Sequence, residues 1–199
     1  MTIWNGDWVN SHRGIRPLAL LVCASVLGLT GCGEDAPDRE YAIPEKLCGV
    51  PVKAKLLEPF LPDGKETSQK EQRNADDVEG LSCDLLVDGK TAIALESEWH
   101  AKKPSLRDVN GSSLITDPSP PERPAALRGG SYVVGDRVAA AAVPCHSTEA
   151  RRTDPAEGFT FSVELFDGPG SDKESKKALQ RFMGPFSEAL VKKLPCRGA

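Results

Sequence analysis

The chain has 199 residues and is mildly acidic, with 25 Lys+Arg against 29 Asp+Glu and a net charge of −4. That balance excludes the basic stripe of a nucleic-acid binder and offers no attraction to anionic lipid headgroups. The length is enough for one domain with its own core, and no internal repeat is visible.

The N-terminal segment has a distinct order. Arg13 and Arg16 precede an uncharged apolar run from Pro17 to Leu29, which ends in Leu29-Thr30-Gly31-Cys32. A basic region, an apolar region and then small residues is the order of a secretory signal. A hydrophobic residue, two small residues and Cys resembles the lipobox of bacterial lipoproteins. The resemblance implies cleavage between Gly31 and Cys32 and a diacylglyceryl group on Cys32, with palmitate-type chains. One acyl chain gives marginal membrane binding, whereas two anchor stably. The expected location is the extracytoplasmic face of the bacterial cell membrane, attached through the lipid on Cys32. Two other readings compete. A transmembrane span needs about 20 apolar residues, and the window from Pro17 to Gly33 is shorter and contains three glycines. An ordinary secreted protein would be cut near Ala24 or Ser25, which leaves the placement of Cys32 without a reason. Arg13 and Arg16 are not adjacent, so a twin-arginine signal is not supported.

Removing residues 1–31 leaves 168 residues, with 23 Lys+Arg and 28 Asp+Glu, a net of −5. Residues 32–40 (CGEDAPDRE) read as the lipidated cysteine and a polar tether. Residues 41–199 are expected to form a single extracytoplasmic domain. Cys23 leaves with the signal and Cys32 takes the lipid. Cys48, Cys83, Cys145 and Cys196 remain, an even number in an exported chain, which implies two disulfides. Three connectivities are open. Sequential pairing, Cys48 with Cys83 and Cys145 with Cys196, is favoured because each bridge then ties a helical segment to a strand nearby in sequence. Loops of these lengths give about 4 kcal/mol per bridge in the chain-entropy picture. The alternative is four free thiols. No C-x-x-C pair suggests zinc.

In chain order, Pro51 is placed to open a short helix carrying Leu56, Leu57 and Phe60, limited by Pro59 and Pro62. Asp63 to Gly80 is strongly polar and reads as an exposed loop; its Asp76-Asp77 pair lacks the ligand spacing of a calcium loop. Leu85-Leu86-Val87, Asp88-Gly89 and Thr91 to Leu95 predict a hairpin with a two-residue turn. Residues 104–130 form a long loop with the Pro-rich stretch Asp117 to Pro124, extended in character. Tyr132 to Val143 predicts strand with a bend at Gly135-Asp136. Phe159 to Leu165 alternates strictly, as in a half-buried strand with Phe159, Phe161, Val163 and Leu165 inward. A final helix starts with a Ser171/Glu174 capping box and carries Leu179, Phe182, Met183, Phe186, Leu190 and Leu194 on one side. Gly184-Pro185 is expected to kink it, with Lys192 and Lys193 at its C-terminal end. The fold class that follows is α+β. It has an antiparallel sheet of four to five strands, with a short N-terminal helix and a longer C-terminal helix packed on it, stapled by disulfides.

No catalytic set stands out. G-x-S-x-G, P-loop, dinucleotide, H-E-x-x-H and EF-hand patterns are absent. His146 follows Cys145 and suggests a Cys–His nucleophile, which a disulfide at Cys145 would rule out. His100 reads as a surface histidine. Carboxylates are plentiful, but none is singled out. No metal, no cofactor and no nucleic-acid partner is expected. The lipobox, the acidic tether, Leu47-Cys48-Gly49-Val50-Pro51 and a last helix ending at Cys196 together resemble small lipoproteins of actinobacterial type, families without assigned function. The expectation is a non-enzymatic, membrane-anchored binding domain for a small molecule or an envelope protein, using its sheet face or loops. The alternatives are a small envelope or cell-wall hydrolase using carboxylates, and an accessory subunit of a membrane transporter or sensor.

Overall fold

The computed structural model describes residues 39–72, 80–109, 124–127, 130–148, 154–166, 168 and 170–196. Residues 1–38, which hold the expected signal segment, Cys32 and most of the expected tether, lie outside them, as do Asp76, Asp77 and the Pro-rich stretch up to residue 123. The elements are β1 (Lys46–Leu47), β2 (Val50–Pro51), α1 (Ala54–Leu57), a 3-10 turn at Glu58–Phe60 and β3 (Thr67–Gln72). Then come β4 (Gly80–Val87), β5 (Lys90–His100) and a 3-10 turn at Leu106–Asp108. Strands β6 (Ala125–Leu127), β7 (Gly130–Val134), β8 (Val138–Ser147) and β9 (Ala156–Leu165) precede α2 (Asp172–Val191).

Strands β3 to β9 form one seven-stranded sheet in the order β3-β4-β5-β9-β8-β7-β6, and β1 pairs with β2 separately. Every pairing in both is antiparallel. The α+β class is as expected, but four to five strands is too few. Strand β3 lies within the polar stretch read as loop. Its sequence TSQKEQ is polar on both faces because it is a sheet edge, and five of its six residues are exposed. Such an edge carries no apolar alternation to reveal it, and its charges guard it against further pairing. Pro51 belongs to β2, and the helix it was expected to open begins at Ala54 instead.

Tight turns fix the register. Asp88 and Gly89, at φ 48° and 77°, close the β4–β5 hairpin as an Asp-Gly pair should. Two carboxylate-capped backbone groups support it, with Lys65 and Glu66 N–H both donating to Asp88 Oδ1 at 3.0 Å. Gly135-Asp136 likewise separates β7 from β8.

The chain forms two meanders that meet at β5 and β9. Leaving β5, it must reach β6 at the far edge before returning. The described start of the segment after β5, residues 101–109, lies against the sheet face opposite α2. There Val109 packs with Val133 and Ala140. Pro104 lies so close to Gly158 that a Cβ on Gly158 would sit 2.0 Å from the proline Cδ. Thr160 and Ser162 are also buried, so β9 is covered on both faces rather than half-buried.

On the helix face, Phe159, Phe161, Val163 and Leu165 of β9 neighbour Ala139, Ala141 and Val143 of β8, all buried. The small alanines let α2 approach the sheet. Helix α2 starts with the Ser171/Glu174 capping box and runs to Val191 with Pro185 inside it. Leu179, Phe182, Met183, Phe186 and Leu190 are buried as their spacing predicts. Phe182 stacks on Phe186 at 4.8 Å and meets Phe60 edge-on at 5.4 Å, and Phe186 meets Phe161 at 6.1 Å. Cys48 is bonded to Cys83 and Cys145 to Cys196. The first bridge ties the β1–β2 hairpin to β4, and the second ties the end of α2 to β8.

Phe182 is fully buried and makes two of these contacts, to Phe60 and Phe186. Phe182→Ala should destabilise by about 3–5 kcal/mol, the range for emptying a buried aromatic site. A shift of the urea midpoint without change in slope checks it.

Candidate functional site

A largely apolar surface depression arises on the helix side, where residues 45–56 meet residues 185–189 of α2. The β1–β2 hairpin turns at Cys48 and Gly49, both at positive φ, 53° and 71°. Side chains from two directions hold it. The Cys48 N–H donates to Gln69 Oε1 at 2.6 Å, and Gln69 Nε2 donates to the Lys46 carbonyl at 2.9 Å. From the end of α2, Lys193 Nζ donates to the Gly49 carbonyl. After the hairpin, Leu57 and Phe60 turn inward and are buried.

Pro185 has no N–H, so the Arg181 carbonyl lacks its usual partner within α2. Ser187 Oγ donates to the Met183 carbonyl at 2.5 Å one turn on. Between this part of α2 and the hairpin lies an open groove of about 830 Å³. Its apolar lining comes from Pro51, Val52, Leu56, Pro185, Phe186 and Ala189. Lys53 and Lys55 border it with Glu45. Two ammonium groups against one carboxylate leave a cationic rim on an otherwise acidic chain. An apolar floor with a few charged rim groups is the usual make-up of a small-molecule site.

The residues singled out from the sequence do not gather here. All four cysteines of the domain are engaged in the two bridges. The Cys145–Cys196 bond leaves no thiolate beside His146, so the Cys–His pair is overturned. His146 Nδ1 instead lies 3.0 Å from Glu157 Oε1, with both side chains about half exposed. His100 is half-buried, its Nε2 2.8 Å from Thr160 Oγ1. The register places Asp84, Glu96, Glu98 and Glu164 on the sheet face away from α2. Among the described residues no three His, Cys, Asp or Glu side chains are grouped to hold a metal ion. No described helix is long and apolar enough to cross a membrane. The groove itself was missed in the sequence. Pro185 inside an amphipathic helix was the one local sign that a stretch of its surface is left open.

Perturbed ionisation marks turns and caps rather than the groove. Backbone N–H donation from Ser171, then its hydroxyl, holds the Glu174 carboxyl below the ordinary range. The Lys65 and Glu66 N–H groups do the same for Asp88, and the Ser105 hydroxyl and N–H for Asp108. Burial raises the Tyr41 phenol, against the pull of Arg39, and keeps its proton available to the Pro62 carbonyl 2.5 Å away.

Comparison with protein-family models, curated proteins and solved structures gives no match to this chain.

For Glu174 the folded pKa is depressed. Its contribution is therefore present above the unfolded value near 4.3 and is lost as pH falls through the lower folded value. Glu174→Gln keeps the cap's shape without the charge. The variant should be less stable than wild type at pH 7, with the difference closing in acid. Chemical unfolding at pH 7 and pH 2.5 measures both.

Proposed function

We propose that this chain is a bacterial lipoprotein, anchored through a lipid on Cys32 at the extracytoplasmic face of the membrane. Its folded part serves as a non-enzymatic binding domain. The α1–α2 groove is the binding site, and the ligand is a small amphiphile with an apolar chain and an anionic group. The observation that carries the binding assignment is the groove's apolar floor beside Lys53 and Lys55. The order Arg13/Arg16, apolar run, Leu29-Thr30-Gly31-Cys32 supports the anchor. The two disulfides support export, since such bonds persist in oxidising compartments.

The anchor is tested by palmitate labelling of cells making the full chain. Wild type should incorporate label and be shortened to begin at Cys32, while Cys32→Ser should take no label and stay full length. A labelled or shortened Cys32→Ser chain would overturn the lipobox reading.

For the groove, a fluorescent long-chain fatty acid is the probe. Ala189 lines the groove and is only partly buried, so Ala189→Trp fills the space without opening the core. Affinity should fall at least about tenfold, or 1.4 kcal/mol, with an unchanged unfolding curve. Equal affinity in wild type and variant would place the ligand elsewhere.

A further inference from the structure

If Cys32 is lipidated, the position where the chain joins the sheet fixes which end of the domain meets the bilayer. Arg39 is already locked in place. Its side chain is 9% exposed, donates from Nη2 to the Leu61 carbonyl at 2.6 Å, and lies over the Tyr41 ring. Arg39 bridges to Gly64, and the Glu40 N–H donates to the Gly64 carbonyl. The chain has seven steps from Cys32 to Arg39, the first residue described. Those seven steps reach at most about 25 Å.

Gly64 neighbours Val87 and Asp88, so the chain joins at the end of the sheet that holds the β4–β5 turn. The opposite end holds His100 and the Cys145–Cys196 bridge. Strand β5, Lys90–His100, runs between the two ends and spans about 33 Å. A tether of about 25 Å cannot bring the His100 end down to a bilayer that holds Cys32.

Phe166 sits at the Arg39 end. The chain has six phenylalanines. Five are buried, and Phe166 is 44% exposed, the only large hydrophobic side chain so exposed among the described residues. Its backbone is held in place. The Phe166 N–H donates to the Ala92 carbonyl at 3.0 Å. Arg137 Nη1 donates to the Phe166 carbonyl at 2.5 Å, while Arg137 Nε pairs with Asp172 at 2.7 Å. Charges at this end are mixed, with Lys65 and Lys90 beside Asp63 and Asp88. Charge therefore does not select the surface, whereas the tether length and an apolar ring held at the same end do. An exposed apolar ring such as that of Phe gains by burial at the boundary between headgroups and acyl chains.

We propose that the end of the domain formed by the β4–β5 turn, the start of α2 and Phe166 rests on the lipid surface, with the Phe166 ring at the boundary between headgroups and acyl chains. This rests on lipidation of Cys32. It places the His100 end outward and leaves the α1–α2 groove open to solvent.

The test uses the lipidated chain in phosphatidylglycerol–phosphatidylcholine vesicles with brominated acyl chains, which quench indole fluorescence on contact. After signal removal Trp99 is the sole tryptophan, and it is buried against Phe159, so it supplies a constant background. Wild-type emission should be unquenched. Phe166→Trp should add an indole that is quenched and blue-shifted on the vesicles, and the substitution is at an exposed site that leaves the core intact. No quenching of the added indole on vesicles that carry the lipidated chain would overturn the orientation while leaving the anchor standing. An intact mass without the diacylglyceryl group, measured on protein from its own membranes, would instead overturn the lipoprotein reading and this inference with it.

Discussion

The aromatic contacts around Phe182 are the constraint on which the other features depend. Phe60 comes from the N-terminal segment, Phe182 and Phe186 from α2, and Phe161 from the sheet. Phe159 and Trp99, with rings 4.8 Å apart, extend the series toward the outer end of β5. No two of the first three elements would be positioned without the third. The disulfides act outboard of this cluster. Cys48–Cys83 and Cys145–Cys196 limit how far the hairpin and the helix end can stray in the unfolded chain, about 4 kcal/mol each by loop length. They do not fill the space between helix and sheet. That space is filled by rings on one side and alanines on the other, which is why β8 reads as an alanine run.

What could be read from the sequence was local. The Asp88-Gly89 turn, the alternation of Phe159 to Leu165 and the capping box at Ser171 each specify their element within a few residues, and each is found. What could not be read depends on neighbours distant in sequence. Strand β3 has no apolar face, and only its pairing with β4 makes it a strand. The Cys48-Gly49 turn resembles a hairpin turn only once the positive φ at Cys48 is known, a conformation that a cysteine seldom adopts. The burial of the second face of β9 draws on residues beyond β5, among them Pro104 against Gly158. Nothing in the FTFSVEL stretch itself foretells that cover.

The candidate site was hidden for the same reason. Its lining joins residues 51–56 to residues 185–189, and neither stretch carries a chemical signature. The sequence pointed instead to Cys145-His146, the one dipeptide with recognisable chemistry, and the fold uses that cysteine to hold the end of α2. Histidine and carboxylate side chains are present, but the sheet distributes them over its far face and outer end.

The course of α2 relates groove to anchor. The helix begins beside Arg137 and Asp136, at the end where Arg39 joins the sheet, as the Asp172–Arg137 and Lys176–Asp136 pairs show. Its far end is tied by Cys196 to Cys145. Ala189 lies 17 residues beyond Asp172, and at 1.5 Å per residue that is about 25 Å along the axis. In the proposed anchored state, a ligand in the groove would stand about one helix length from the bilayer. An amphiphile held there is out of the membrane but still within reach of it, because a tether of at most about 25 Å keeps the domain at the surface. In that proposed state the same short tether that would limit the domain's orientation would also limit what it serves, to molecules or partners within a few nanometres of the lipid.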